Sequence, residues 1–371
     1  MALSQQELTD TAYEISKRFD KVNTMYIELM AEQVKAIGQL DQDNMHRLYQ
    51  MTRMGNNIDE INAELSKQTG LALEDIYALY DKSAGEIYKD VAYLYKAGNV
   101  EQVPFSKNIV LQNYINSVKQ LTRGTFVNMA NTTVISNSYR SVIDYAIDAV
   151  ATGVDDYQSV MRKMLLDNAR NGARVQYASG YTRRLDSACR MNILEGVRQV
   201  NIGIRRECGK QYGADGVEID AHGLCASDHL PYQGRQYSIE KYNEINSNLA
   251  RQIGTCNCQH AISYIILGVS PPSYSSEELQ DIEDYSNQKI TIRDKEVTRY
   301  EASQLMRNAE TQMRYKKDEI IALQTAGFDY AKQEEQLKSM KSNYYYISKR
   351  AGLHPRYDRA SVSGYNLSNK K

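Results

Sequence analysis

The sequence predicts an α+β fold that is predominantly α-helical, with long helices flanking a small central α+β module. Three observations carry this prediction. Apolar residues recur at helical spacing along most of the first two hundred residues, the spacing changes to alternation near Gly216, and polar helical patterns resume after Pro272. The two changes of pattern mark the boundaries between domains. We expect an N-terminal helical region over 1–137, a central module over 138–270, and a C-terminal helical arm with a basic tail over 271–371.

Composition excludes several classes of protein. The 45 basic and 46 acidic residues nearly cancel, so no global field directs the chain to nucleic acid or an anionic membrane. The sequence contains no apolar run of the roughly 18–20 residues that a membrane helix needs, and its start lacks the pattern of a signal peptide. Five cysteines, an odd number, favour reduced thiols or metal ligands over a disulfide framework. We therefore expect a protein made in the cytosol, without a membrane partner.

The opening segment is predicted to form a long amphipathic helix. Ile15, Phe19, Val22, Tyr26 and Leu29 follow one another at steps of four and three, which places them on one helical face. A sustained repeat of this kind could also form a coiled-coil seam. Because the repeat covers little more than two heptads, we predict a helix that packs inside its own domain.

Further helices follow before residue 210. The first two begin near Ile58 and Ile87, and the second of them ends near Gly98. A connection is predicted over 98–108. The remaining helices are predicted over 109–128, 142–150, about 160–172 and about 193–209.

Strands are predicted where the period changes to two. The segment 217–221 alternates apolar with acidic residues and is predicted as a half-exposed strand, and 236–239 and 261–267 are further strand candidates. Ser275 and Glu278 then have the spacing of a capping box. It predicts a polar helix that continues to about Ile347, with a break at Gly327.

The central module gathers histidines and cysteines at a density found nowhere else in the chain. His222, Cys225 and His229 lie in one glycine-punctuated stretch, and Cys256, Cys258 and His260 lie in the next. Thiolates and imidazoles are preferred ligands of Zn²⁺. However, the spacing Cys-x-Cys differs from the common Cys-x2-Cys pattern. Free buried cysteines and hydrogen-bonded histidines are therefore the alternative to a metal site.

An enzymatic interpretation uses the same residues. Cys225 or Cys258 could act as a nucleophile with His229 or His260 as its base. The alternative class of protein is a metal-dependent hydrolase or nuclease that uses the same histidines and cysteines. Ser227 lacks a Gly-x-Ser-x-Gly elbow, which argues against the simplest hydrolase. The stretch 232–235 is predicted to be a turn, because no glycine-rich cradle precedes a helix there.

The last thirty residues are locally basic, with tyrosines between the charges. Such a tail could contact nucleic acid, and the predicted contacts are Lys349, Arg350, Arg356 and Arg359. The alternative is a loose, solvated terminus.

The order of short motifs resembles a known family. The motifs are 175–180, Arg190 with 197–201, 217–222, 227–229, 232–235, 257–260 and 271–274. Together they resemble the minor capsid proteins of tailed phages of Gram-positive bacteria, relatives of the Mu F-like head-morphogenesis proteins. The resemblance covers about 139–355 and is weak before it. The chain departs from the family pattern at Ser227-Asp228-His229, where the family has a single His, and at Gln259, where the family has Arg. Cys225 and Cys256 are not part of the pattern.

The resemblance implies a structural, non-enzymatic component of the virion. Its partners would be the portal or the major capsid proteins, and phage DNA, with the host cytoplasm as its location during assembly. The residues that match the family pattern are His222, His229, Cys258 and His260. If they converge, they would form a four-ligand metal site, with Zn²⁺ as the expected ion, or a hydrogen-bonded knot. Appended toxin domains occur in some relatives, but the C-terminal arm here is predicted to be polar helix.

Overall fold

The computed structural model describes residues 5–38, 56–134, 157–255 and 258–365. It is predominantly α-helical with small antiparallel sheets, as predicted. Its helices are α1 (Gln5–Gly38), α2 (Asn56–Asp90), α3 (Ala92–Ala97), α4 (Ile109–Asn131), α5 (Tyr157–Asn171), α6 (Leu185–Tyr212), α7 (Ile239–Asn248), α8 (Ser276–Asn287), α9 (Arg299–Ala326) and α10 (Ala331–Ala351).

Eight short strands form three antiparallel sheets among these residues. The strands are β1 (Thr133–Val134), β2 (Arg174–Gln176), β3 (Thr182–Arg184), β4 (Gly216–Ile219), β5 (Gln236–Ser238), β6 (Ile262–Ile265), β7 (Lys289–Ile292) and β8 (Lys295–Thr298). The sheet orders are β1-β2-β3, β5-β4-β6 and β7-β8. The middle sheet is the one that positions the histidines and cysteines.

The chain divides into two compact units, each built from three separate segments. The first unit comprises Met1–Ile15, Leu73–Thr125 and Arg190–Gln304, and the second comprises Ser16–Ala72, Phe126–Cys189 and Leu305–Lys371. The sequence, in contrast, predicts consecutive domains with boundaries after residues 137 and 270. That division remains a prediction.

Polar contacts of buried side chains join three helices in the first unit. Tyr80 of α2 and Thr122 of α4 share a hydrogen bond of 2.9 Å, and Ser83 of α2 donates to Asn201 of α6. Gly196 of α6 allows Tyr80 of α2 to lie close against α6, because a Cβ built at Gly196 would lie 1.6 Å from Tyr80 Oη. The glycine therefore serves close helix packing.

Aromatic rings and a charge network fill the second unit. Phe19 and Phe126 pack with ring centroids 6.1 Å apart. The buried charge network consists of two arginines and three aspartates, namely Arg184, Arg314, Asp20, Asp186 and Asp318. Since the carboxylates outnumber the guanidinium groups, one negative charge would be in surplus if all three ionised. Burial raises the pKa of Asp20 to about 7 and that of Asp318 to about 6.

Most predicted helices are confirmed, with two differences in how they are divided. The helix predicted from Ile58 continues without a break into the first residues of the stretch predicted from Ile87, and together they form α2. Val91 divides that second stretch, and its remaining residues form α3. The predicted connection over 98–108 is confirmed and contains a short 3-10 turn, Phe105–Lys107. The helix predicted over 142–150 lies outside the described residues.

The three predicted central strands are confirmed, but the first is not half-exposed. All four residues of β4 are buried, including Glu218. Its carboxylate accepts hydrogen bonds from Gln236 Nε2 at 2.8 Å and from the backbone N–H of Ser273 at 3.1 Å. Burial is tolerated because the charge is satisfied by these donors.

The C-terminal arm contains a hairpin that the sequence analysis did not predict. The Ser275 capping box is confirmed, with both of its hydrogen bonds present. The helix it begins ends at Asn287, and strands β7 and β8 follow before α9. Arg293, at φ 55°, forms the turn between these strands. The predicted break at Gly327 is confirmed, since α9 ends at Ala326.

The segment after α10 packs within the second unit, so the loose terminus expected for it is wrong as far as Tyr365. The backbone N–H of Ser363 donates to Asp20 at 2.6 Å, and Thr24 donates to the Ser363 carbonyl at 2.8 Å. Across all the described helices, none combines the length and the apolar character needed to span a membrane.

Candidate metal centre

The register of the central sheet brings two distant loops together. Strands β4 and β6 are antiparallel, with Ile219 paired with Ile262. One further hydrogen bond, from the Asp220 N–H to the Ala261 carbonyl at 2.9 Å, continues the pairing. Consequently the loop that leaves β4, residues 220–235, starts beside the end of the loop that enters β6, residues 249–261. The first loop carries His222, Cys225 and His229, and the second carries Cys258 and His260.

An apolar cluster supports these loops. Its buried members are Val217, Ile219, Ile245, Ile253 and Ile262, and Cys258 packs against it. The first loop returns to the sheet at Gly234, whose φ of +68° favours glycine. A Cβ at Gly234 would also lie 2.1 Å from Leu279 Cδ2. The turn predicted over 232–235 therefore positions the loop against α8.

His260 lies at the centre of the cluster and is 2% exposed. Its Nδ1 is 3.2 Å from Cys258 Sγ, and its Nε2 is 3.4 Å from Cys225 Sγ. Cys258 Sγ is also 3.7 Å from Nδ1 of His229, which is itself 2% exposed. The two ring nitrogens of His260 thus face two different thiols.

His222 lies on the side of Cys225. Its ring centroid is 4.5 Å from that of His260. Its Nδ1 is 3.0 Å from the Gly223 carbonyl, and no described group forms a hydrogen bond with its buried Nε2. The cluster therefore contains two triads that share His260, one with His222 and Cys225 and one with His229 and Cys258. In each triad the three donor atoms lie within 4.8 Å of one another.

Two residues outside the predicted set hold the histidines in place. Arg251 accepts a hydrogen bond from His229 Nε2 through its backbone carbonyl at 2.7 Å, and its guanidinium pairs with Asp228 at 2.8 Å. The Gln233 side-chain oxygen lies 3.1 Å from His260 Nε2 and accepts from the backbone N–H of His222 at 3.2 Å. Sequence reasoning assigned Gln233 only to a turn, and nothing in the sequence distinguished Arg251.

Burial disfavours the charged forms of His260 and Cys225. It lowers the pKa of His260 to about 3, with a further decrease from neighbouring His222. It raises the pKa of Cys225 to about 12, with a contribution from Cys258. A thiol with so high a pKa is a poor nucleophile, so Cys225 does not have the electrostatics of a catalytic cysteine.

The four predicted metal ligands are all found in this cluster but not in one triad. His229, Cys258 and His260 converge, whereas His222 joins Cys225, which the family pattern does not include. Cys256 lies outside the described residues. The assignment of a metal to these residues remains a prediction at this point.

The four predicted nucleic-acid contacts have different environments. Lys349 and Arg350 are exposed in the last turn of α10. Arg356 pairs with Asp358 at 2.9 Å. Arg359 is half-buried, and this burial lowers the pKa of its guanidinium. Of the four, Lys349 and Arg350 are therefore the two whose side chains are exposed.

Comparison with known proteins defines the class of this protein. Residues 3–345 match the model of a family described as phage minor capsid protein 2. The chain therefore belongs to this family of phage minor capsid proteins. The match begins far before residue 139, so the family likeness includes the N-terminal helices where the sequence resemblance was weak. No curated protein and no solved structure matches the chain.

Proposed function

We propose that this minor capsid protein docks on other proteins of the virion, at the portal or the inner wall of the head, and assists head assembly as a non-enzymatic component. The family match over residues 3–345 supports a place in the virion. No observation supports the alternative of a hydrolase or nuclease. The single structural observation that carries the docking role is the exposed face of α4.

The α4 face, as defined here, consists of the exposed residues of α4 within the first unit. It combines large apolar side chains with uncharged polar ones, and Arg123 is its only charged member. Its residues are Ile109, Val110, Asn113, Asn116, Ser117, Gln120, Leu121, Arg123, Gly124 and Thr125. Ile109 is 73% exposed, Val110 54% and Leu121 65%.

Two features of this face are typical of a protein interface. Val110 and Leu121 are eleven residues apart, which is close to three helical turns and places them on one side of α4. A quarter of the whole chain is charged, so a face with one charge among ten residues is depleted in charge. Depletion of charge with retained apolar side chains distinguishes the centre of an interface from ordinary surface.

The experiment is to replace Val110 and Leu121 by Asp and to measure incorporation into particles. A phage lacking the gene is complemented with the variant, and purified heads are probed for the protein. We expect incorporation to fall at least tenfold, because two carboxylates would have to be desolvated at the centre of the interface. Val269→Asp is the matched control, because Val269 is 59% exposed in the same unit but outside α4.

The outcomes separate docking from folding. Far-UV circular dichroism of both purified variants should match that of the wild type, since neither change touches a buried side chain. Normal incorporation of the Val110→Asp, Leu121→Asp double variant would refute the α4 face as the docking surface. Equal loss with Val269→Asp would show that the effect is not specific to that face.

We propose that DNA contact, where it occurs, uses Lys349 and Arg350. Both are exposed, whereas Arg356 and Arg359 are half-buried. Replacing both by Gln should weaken binding to duplex DNA uniformly across sequences. It should also reduce the slope of log affinity against log salt by about 1–2, since each phosphate contact contributes about 0.9. An unchanged slope would remove these residues from any DNA contact.

A further inference from the structure

The hydrogen bonds around His229 fix which of its ring nitrogens is free to bind a ligand. Its Nε2 lies 2.7 Å from the Arg251 carbonyl, which can only accept. Nε2 therefore carries the proton, and in the neutral ring Nδ1 presents a lone pair. That Nδ1 is directed at Cys258 Sγ, 3.7 Å away.

A second set of hydrogen bonds fixes which ring nitrogen of His260 is free to bind a ligand. The backbone N–H of His222 can only donate, so the Gln233 atom that it meets at 3.2 Å is the side-chain oxygen. The same oxygen lies 3.1 Å from His260 Nε2 and must accept from it. The free lone pair of His260 is therefore on Nδ1, which faces Cys258 Sγ at 3.2 Å.

Two imidazole lone pairs thus converge on one sulfur. A thiol has a single proton and can donate it to only one of them, so the other lone pair remains without a donor in a buried site. A metal ion that replaces this proton would satisfy both nitrogens and the sulfur at once. With bonds of about 2.3 Å to sulfur and about 2.0–2.1 Å to nitrogen, tetrahedral Zn²⁺ separates its S and N ligands by about 3.5 Å. The observed separations of 3.2 and 3.7 Å bracket that value.

We infer that His229 Nδ1, Cys258 Sγ and His260 Nδ1 bind one Zn²⁺. The donor set is soft, with one thiolate and two neutral imidazoles, and such a set selects zinc over the oxygen-seeking Mg²⁺ and Ca²⁺. The Arg251 carbonyl and the Gln233 amide are the outer partners that orient the two rings, as metal-binding histidines require. This set differs from the one that the sequence predicts, because His222 is not a ligand.

The same hydrogen bonds exclude the other triad, His222, Cys225 and His260, as a metal site. His222 and Cys225 face Nε2 of His260. That nitrogen is protonated, because it donates to Gln233, and a protonated nitrogen has no lone pair for a metal. Cys225 and Cys258 are therefore predicted to behave differently, although both are cysteines within 3.4 Å of the same histidine.

The experiment uses the full chain and Co²⁺, a spectroscopic substitute for Zn²⁺. The protein is stripped with a chelator and titrated with Co²⁺. We expect one equivalent to bind and to produce a thiolate-to-cobalt charge-transfer band together with strong visible absorption, the signature of a four-coordinate site with sulfur. Zn²⁺ should then abolish both signals by displacement. Zn²⁺ added to the stripped protein should raise its thermal unfolding midpoint, because it binds the folded state.

Two cysteine variants assign the ligand. Cys258→Ser should lose the charge-transfer band, and Cys225→Ser should keep it at wild-type intensity. The reverse pattern would overturn this ligand set in favour of the triad with His222. If Cys258→Ser does not fold, as judged by circular dichroism, His229→Gln replaces it and is expected to weaken Co²⁺ binding at least tenfold.

The wild-type titration decides the inference without any variant. Absence of the charge-transfer band at micromolar to millimolar Co²⁺ would refute a thiolate-containing site. In that case the cluster is a hydrogen-bonded knot, and the proposed docking role of the α4 face is unaffected. Conversely, loss of incorporation by the α4 variants has no bearing on the metal, because they leave all three ligands in place.

Discussion

Replacing Asp20 by Asn tests whether the buried charge network of the second unit holds an extra proton. Asp20 lies 3.7 Å from Arg184 and accepts a hydrogen bond from the Ser363 N–H, but two further carboxylates share its environment. Burial first, and the charge of Asp186 second, raise the pKa of Asp20 from 3.8 to about 7. At any pH between these two pKa values, folding is therefore accompanied by the uptake of a proton.

The sign and size of the effect follow from this shift. Between the unfolded pKa of 3.8 and the folded value of about 7, the folded protein holds the proton and the unfolded chain does not. The stabilisation is fully present below pH 3.8 and is lost as the pH rises through 7. The free energy of unfolding falls by about 1.4 kcal/mol per pH unit in this window. The amide in the Asp20→Asn variant is neutral at every pH, so this variant should gain about 2–3 kcal/mol on the wild type between pH 5 and pH 8.

The assay is urea unfolding of both proteins at pH 5, 6, 7 and 8, followed by far-UV circular dichroism. Asp281→Asn is the control, because Asp281 is an exposed carboxylate on α8 and its replacement should give a difference that does not vary with pH. If the difference between the wild type and the Asp20→Asn variant stayed constant over this range, Asp20 would be ionised in the folded protein. The buried network would then tolerate the surplus negative charge without taking up a proton.

Four further substitutions test packing, capping and the hydrogen bonds of a buried hydroxyl, each by thermal or urea unfolding. Gly196→Ala should destabilise the protein by about 2 kcal/mol or more, because its Cβ would overlap Tyr80. Gly124→Ala, with nothing within 4 Å, should stabilise it by about 0.5–1 kcal/mol, and equal effects of the two would contradict the packing argument. Ser275→Ala should cost about 1 kcal/mol through loss of the helix cap, and no change would show that α8 frays in the wild type. Tyr344→Phe should cost about 1–3 kcal/mol, because a fully buried hydroxyl loses two hydrogen bonds of 2.7 Å; a neutral result would mean that water replaces them.

The helices could be predicted because their apolar spacing records which face is buried. In α1, the predicted face residues Ile15, Phe19, Val22 and Tyr26 are all buried, while Leu29 is half-buried. The sequence could not reveal that α2 runs without a break from the stretch predicted at Ile58 into the stretch predicted at Ile87. Gly70 and Gly85 lie between these two stretches, and a glycine inside a helical pattern resembles a break when its tertiary partners are unknown.

The missed hairpin shows where periodicity gives the wrong answer. Strands β7 and β8 are rich in β-branched residues, with Ile290 paired with Val297, but each strand has only four residues. Polar, charged helices flank them on both sides. A window long enough to detect a helix averages such short strands away. The usable signal was the alternation of Ile290 and Ile292 before Arg293-Asp294, which forms the turn.

For the metal centre, the sequence supplied the residue types but not their pairing. Cys225 and Cys258 are equivalent candidates by composition, and the family pattern removed only the first. Their distinction depends on the pairing of Ile219 with Ile262 and on the orientation of one amide, that of Gln233. Neither can be derived from spacing along the chain, because the groups involved are tens of residues apart.

The first unit therefore contains two features of opposite character, the buried histidine and cysteine cluster and the exposed α4 face. His229 and His260 are 2% exposed, so they act on the loops that carry them and have little surface to offer a partner. Leu121, at 65% exposure, has the opposite character. If the metal joins residues 220–235 to residues 249–261, its removal should lower stability while native protein still enters particles. A charge introduced at Leu121 should leave stability unchanged but prevent entry into particles. A variant of Cys258 that folds normally but fails to enter particles would contradict this division, because it would make the buried cluster part of the docking surface.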